Sequence, residues 1–119
     1  MKDTALAPKQ GDEGSPPAWI VIEDAYADAA ADLAPGSEVI VFTWLHQADR
    51  DVLRVHPRSN PARAEQGVFS TRSPDRPNPI GMHVVEIVAA EGQRILVRNL
   101  EAIDGTPVVD LKPVLGRVR

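Results

Sequence analysis

The run SEVIVFTWLHQ, Ser37–Gln47, decides the fold class. Val39, Ile40, Val41 and Phe42 are adjacent, without the three- and four-residue spacing of an amphipathic helix. A near-continuous apolar run of this length, rich in β-branched residues, reads as a buried strand. Shorter strand signals flank it. AWIVIED (Ala18–Asp24) is one, and DVLRVHP alternates as a half-buried strand that Pro57 ends. MHVVEIVAAE (Met82–Glu91), Gly92 and QRILVRNLEAI (Gln93–Ile103) predict a hairpin, and Asp104-Gly105 is a further turn. TPVVDLKPVL closes the series as a short strand interrupted by Pro113.

One segment reads as a short helix. DAYADAAADLAPG runs from Asp24, placed to cap it, past Leu33 to a stop at Pro35-Gly36. No internal repeat or heptad interrupts the pattern. With 119 residues the chain fits one domain. The expectation is a mainly β domain, a small barrel or curled sheet, with one short helix and long Pro-rich loops. Aromatic residues are only 4% of the chain, so its core must be aliphatic. Residues 1–17 are polar and rich in Pro and Gly, and taken alone they read as a tail or extended arm.

The composition excludes several chemistries. With no cysteine, neither a disulfide framework nor a thiolate nucleophile is open to the chain, which fits a cytoplasmic protein. His46, His56 and His83 lack metal-ligand spacing, and no metal is expected. No GxGxxG, GxxxxGKS or GxSxG motif occurs, so a Rossmann sheet, a P-loop and a nucleophile elbow are unsupported. No charged-then-apolar leader opens the chain, and the apolar runs are too short to span a bilayer as helices.

Charge is unevenly placed. Residues 1–38 hold eight acids against two lysines, whereas residues 39–76 hold six arginines against four acids. This Arg-rich zone includes GVFSTRSPDRPNPIG, Gly67–Gly81. Pro74, Pro77 and Pro79 stiffen that loop, and a stiff loop loses little entropy on binding. Arg72 and Arg76 supply forks suited to carboxylate or phosphate, and Asn78 supplies hydrogen-bonding groups. By composition the loop is equally a rigid connection or a ligand site. His46-Gln47 ends the buried strand, where polar groups can face a pocket. The Asp104-Gly105-Thr106-Pro107 turn can expose backbone N–H groups, and alone it reads as a plain turn.

GVFSTRSPDRPNPIGM, TWLHQ and IDGTPVVDLKP together resemble the TsaA-like family, whose characterised members are TrmO-type tRNA methyltransferases. The resemblance runs from about Pro8 to Leu115. It implies a small β-barrel, a homodimer, and S-adenosylmethionine bound near the subunit interface. It also implies methylation of N6 of a threonylcarbamoyl-modified adenosine next to the tRNA anticodon. Cofactor contacts carry over to Pro8, Lys9 and Gln10, to His46 and Gln47, to Arg72 and Met82, and to Ile103, Asp104, Gly105 and Thr106. Residues 1–17 would then be an arm lining the pocket. Asp104 and His46 are candidate general bases, and Arg76 and Asn78 serve substrate or loop. Family members begin with an added strand, and none is read in MKDTALAPKQ: either the sequence starts late or the barrel closes differently, and a missing strand would leave an open sheet edge. Two other readings stay open: a non-catalytic S-adenosylmethionine or nucleotide-binding module, and a methyltransferase with a small-molecule acceptor.

Overall fold

The structure, a computed structural model, describes residues 16–56 and 60–116. Among the described residues, seven strands alternate with loops and two 3-10 segments. They are β1 (Ala18–Val21), β2 (Glu38–Trp44), β3 (Arg54–Val55), β4 (Gln66–Gly67), β5 (Ile80–Glu91), β6 (Arg94–Arg98) and β7 (Val108–Pro113). Five form one antiparallel sheet in the order β1-β6-β5-β2-β7, and β3 pairs with β4 in a separate ribbon.

Strand periodicity builds the core. Successive side chains face opposite sides of a sheet, so alternate residues share a face. Val39 and Val41, Val85 and Ile87, Ile95 and Val97, and Ala18 and Ile20 fill one side as a continuous buried cluster. Leu100 joins them, and Ile22 and Leu33 pack against its margin. Ile40, on the opposite face of β2, is buried too. That double burial explains the unbroken apolar run in the sequence. The β5–β6 register shifts between Ile87 and Ala89, so Val88 is an extra residue and Ile95 meets Ala90. A bulge of this kind bends and twists a long strand.

The mainly β class is as expected, but closure differs. Among the described residues β1 and β7 are the sheet's edges and do not pair, so the sheet is open rather than a closed barrel. The helix differs too. It is a 3-10 segment, Asp24–Ala30, and none of its residues is buried. Without an apolar face to bury, an Ala-rich stretch has little to extend it. Asp24 does not cap it; its carboxylate accepts a bond from Gln93 Nε2 at 2.7 Å. The same amide reaches the Ile22 carbonyl and ties the hairpin turn to β1.

The hairpin forms with Gly92 at φ 58 in its turn. β6 stops at Arg98 because Asn99 takes φ 75, a left-handed conformation that breaks the strand and sends Leu100 into the core. DVLRVHP contributes only Arg54–Val55, paired with Gln66–Gly67 away from the core, where exposed Leu53 anchors no face. Among the described residues no helix is long and apolar enough to cross a membrane.

Candidate functional site

Antiparallel pairing brings the end of β2 beside the start of β5. Trp44 pairs with Ile80 and Thr43 with Gly81, while Val108 at the start of β7 lies across Thr43 on the other side. Three segments far apart in sequence therefore meet at one end of the sheet. They are the exit from β2 at His46-Gln47, the loop before β5, and the turn before β7. Between them lies an open cleft of about 1370 Å³.

The loop from Thr71 to Pro79 is held by its own polar groups as well as its prolines. Thr71 Oγ1 donates to the Val68 carbonyl and accepts from Ser73 N–H, and Ser73 Oγ accepts from Asp75 N–H. Arg76 Nη1 donates to the carbonyls of Thr71 at 2.9 Å and Ser73 at 3.1 Å. Its guanidinium also sits over the Phe69 ring. Arg76 is thus a staple inside the loop. The loop is fixed in turn to the β2 exit: Asp49 N–H donates to Asp75 Oδ1, and Arg50 Nε donates to the Pro77 carbonyl at 2.6 Å. Arg50 also stacks on Trp44.

Arg72 differs. It is exposed and lines the cleft, and among the described residues no hydrogen bond or ion pair holds its guanidinium. His46, Gln47, Asn78, Met82, Ile103 and Thr106 line the same cleft. Ile80, Met82 and Ile103 give it an apolar wall that is more than a third exposed. In the turn, Thr106 N–H donates to the Ile103 carbonyl at 3.0 Å and Gly105 takes φ 90, the pattern of a type II turn. Thr106 Oγ1 reinforces it with a 2.6 Å bond to the same carbonyl. Asp104 and Gly105 belong to this turn but are not part of the cleft lining. Pro8, Lys9 and Gln10 lie outside the described residues.

Sequence reasoning overlooked the group formed by Thr43, Gly81 and His83. Thr43 is wholly buried, and its Oγ1 lies 3.1 Å from His83 Nε2. His83 lines the cleft, and burial pushes its pKa below the ordinary 6.5. The available signal was the alternation of β5, which puts His83 on the same face as Val85 and Ile87. A polar residue on a buried face needs a partner, and Thr43 provides it.

This lowered pKa has a stability consequence. As pH falls below 6.5 the unfolded chain takes up the imidazole proton before the folded chain does. Stability is therefore lost from about pH 6.5 downward until the folded pKa is passed. Melting temperatures between pH 7.5 and pH 5 are expected to fall further for the native chain than for His83→Gln. Parallel curves would show that His83 is not held neutral by the fold.

The sequence profile of the tRNA-methyltransferase O N-terminal domain matches residues 1–118. A protein of Methanothermobacter thermautotrophicus, named a probable S-adenosyl-L-methionine-binding protein, is 48% identical over 95% of this chain and 80% of its own length. An S-adenosyl-L-methionine-binding protein of Archaeoglobus fulgidus is 47% identical over 89% of this chain and 75% of its own. Among solved structures, TrmO of Pseudomonas aeruginosa superposes with a TM-score of 0.68 at 26% identity, covering 96% of this chain and 49% of that one. The chain thus spans about half the length of that structural neighbour.

Proposed function

The chain belongs to the family of the tRNA-methyltransferase O N-terminal domain, and from that premise we propose that it is an S-adenosylmethionine-dependent methyltransferase acting on tRNA. The proposed acceptor is N6 of threonylcarbamoyladenosine beside the anticodon. The observation that carries this reading is Arg72, a guanidinium without a protein partner among the described residues, standing in a cleft beside a loop that is held by its own hydrogen bonds.

The donor set suits the cofactor's chemistry. Arg72 offers its fork to the methionyl carboxylate. The turn from Ile103 to Thr106 offers backbone groups to ribose or amine, with Asp104 and Gly105 at its tip. His46 and Gln47 face the adenine or the methionyl end, and Met82 with Ile80 forms an apolar wall. Pro8, Lys9 and Gln10 are proposed to complete the site as an arm formed by residues 1–17. Asn78 is assigned to the acceptor side and Arg76 to the loop. Bound S-adenosylmethionine supplies an electrophilic methyl group. The protein's task is to hold donor and acceptor in line and to exclude water, for which a stapled loop is well made. A homodimer in the cytoplasm completes the proposal, and the exposed apolar Val109 on the edge strand β7 supports the dimer.

A second reading, a binding module without transfer activity, is supported by the names of the relatives, which specify binding alone. Calorimetry with S-adenosylmethionine, followed by methyl transfer to tRNA with and without the threonylcarbamoyl group, separates the two. Binding and modification-dependent transfer are expected. Binding without transfer to any tRNA favours the module or a small-molecule acceptor, and absence of binding overturns the cofactor assignment.

A further inference from the structure

His83 is a half-buried titratable group that no assigned role uses. Gly81 and Thr43 are opposite one another in the β2–β5 register, and His83 follows two residues on along the same face. A methyl group at Gly81 would collide with Thr43 Oγ1 and fall 2.8 Å from His83 Nε2, so glycine at this position is what lets the two side chains meet. The Thr43 hydroxyl engages Nε2. In the tautomer that donates Nε2–H to Thr43, Nδ1 carries a lone pair, and it has no partner among the described residues.

The geometry points to a catalytic role for His83: its Nδ1 is the proton acceptor for the nitrogen that is methylated. This rests on the methyltransferase reading above. His83 Nδ1 takes the proton that the acceptor nitrogen sheds as the nitrogen–carbon bond forms and the carbon–sulfur electron pair departs with sulfur. The donor is a sulfonium, so no further oxidant, reductant or metal is needed for balance.

Position within the cleft distinguishes His83 from the other candidates. His46 is exposed at the rim, and Asp104 lies outside the lining. The charged groups sharing the cleft are Arg72 and Arg76 from the loop, Asp75 beside them, and Glu101 from the segment before the turn. From β2, Val41 lies opposite His83 and the neutral Thr43 hydroxyl bonds its ring, so among the described residues no charged group of β2 is seen to contact it. Burial favours the neutral imidazole, the form that accepts a proton.

Three measurements test the role. The first is the pH dependence of methyl transfer to threonylcarbamoylated tRNA by the native chain, His83→Gln and His83→Asn. The rate is expected to fall about 100-fold or more in both variants, and the acid limb of the native profile is expected to vanish, with calorimetric affinity for S-adenosylmethionine kept within about twofold. The second is rescue of His83→Ala by added imidazole. The third is independent of turnover: the ¹⁵N resonance of His83 Nδ1 is expected to shift when a threonylcarbamoylated anticodon stem-loop is added to protein loaded with S-adenosylhomocysteine. Folded variants that keep the native rate and acid limb, or an unmoved Nδ1 resonance, overturn the role of His83 while leaving the enzyme reading intact. A native chain that transfers no methyl group overturns both.

Discussion

Replacing Arg72 by alanine is expected to weaken S-adenosylmethionine binding about 100-fold, equivalent to roughly 2.7 kcal/mol, and to leave the melting temperature unchanged. The two halves have separate causes. Charge-assisted, two-pronged bonds from arginine to a carboxylate are among the strongest polar contacts available to a protein. In the described structure Arg72 makes no such contact within the protein, so folding loses little when it is removed. Arg72→Lys keeps the charge without the fork and is expected to recover only part of the affinity. Arg76→Ala provides the contrast. It removes two bonds to loop carbonyls and the stacking on Phe69, so its main effect should be on loop order and stability. Calorimetry and thermal unfolding of the three variants check this. Unfolding by Arg72→Ala would return the loop to the role of a rigid connection.

Gly81→Ala is expected to destabilise the chain by about 1–3 kcal/mol, as overpacking a closely filled site does. The added methyl would collide with Thr43 Oγ1 and would meet His83 Nε2 at 2.8 Å and Leu45 Cδ2 at 3.4 Å. Thr43 cannot easily yield, because it is fully buried in a strand paired on both sides. The His83 ring should turn instead, breaking its bond to Thr43 and closing the cleft from beneath. Denaturant unfolding of Gly81→Ala, Thr43→Ala and the double variant tests the contact. If the clash lies there, the double variant should be more stable than the sum of the single losses implies. Strict additivity would place the strain elsewhere.

The two arginines of the loop show how far the sequence could be read. Both have the same residue type, within four positions, among the same prolines. Composition alone assigned them equal weight as ligand groups. In the fold one is spent on the Thr71 and Ser73 carbonyls and the other is not, a distinction set by local backbone directions. His46-Gln47 and the Asp104-Gly105 turn were legible as polar groups at strand ends, because apolar runs mark where strands stop. Their meeting across β2, β5 and β7 was carried by the resemblance and is accounted for physically by the register. His83 was passed over because one histidine in an alternating strand has no neighbour in sequence to reveal its partner, which stands 40 residues away.

Residue order alone settles the mainly β class, the long β5–β6 hairpin and the stiff Arg-rich loop. These follow from local causes: alternation, glycine turns and proline restriction act over a few neighbouring residues. Sheet order, the bond between Thr43 and His83 and the different fates of Arg72 and Arg76 are decided only by the tertiary structure. They depend on which strands pair and in which register. That choice minimises the free energy of the whole buried cluster, to which no single segment holds the key.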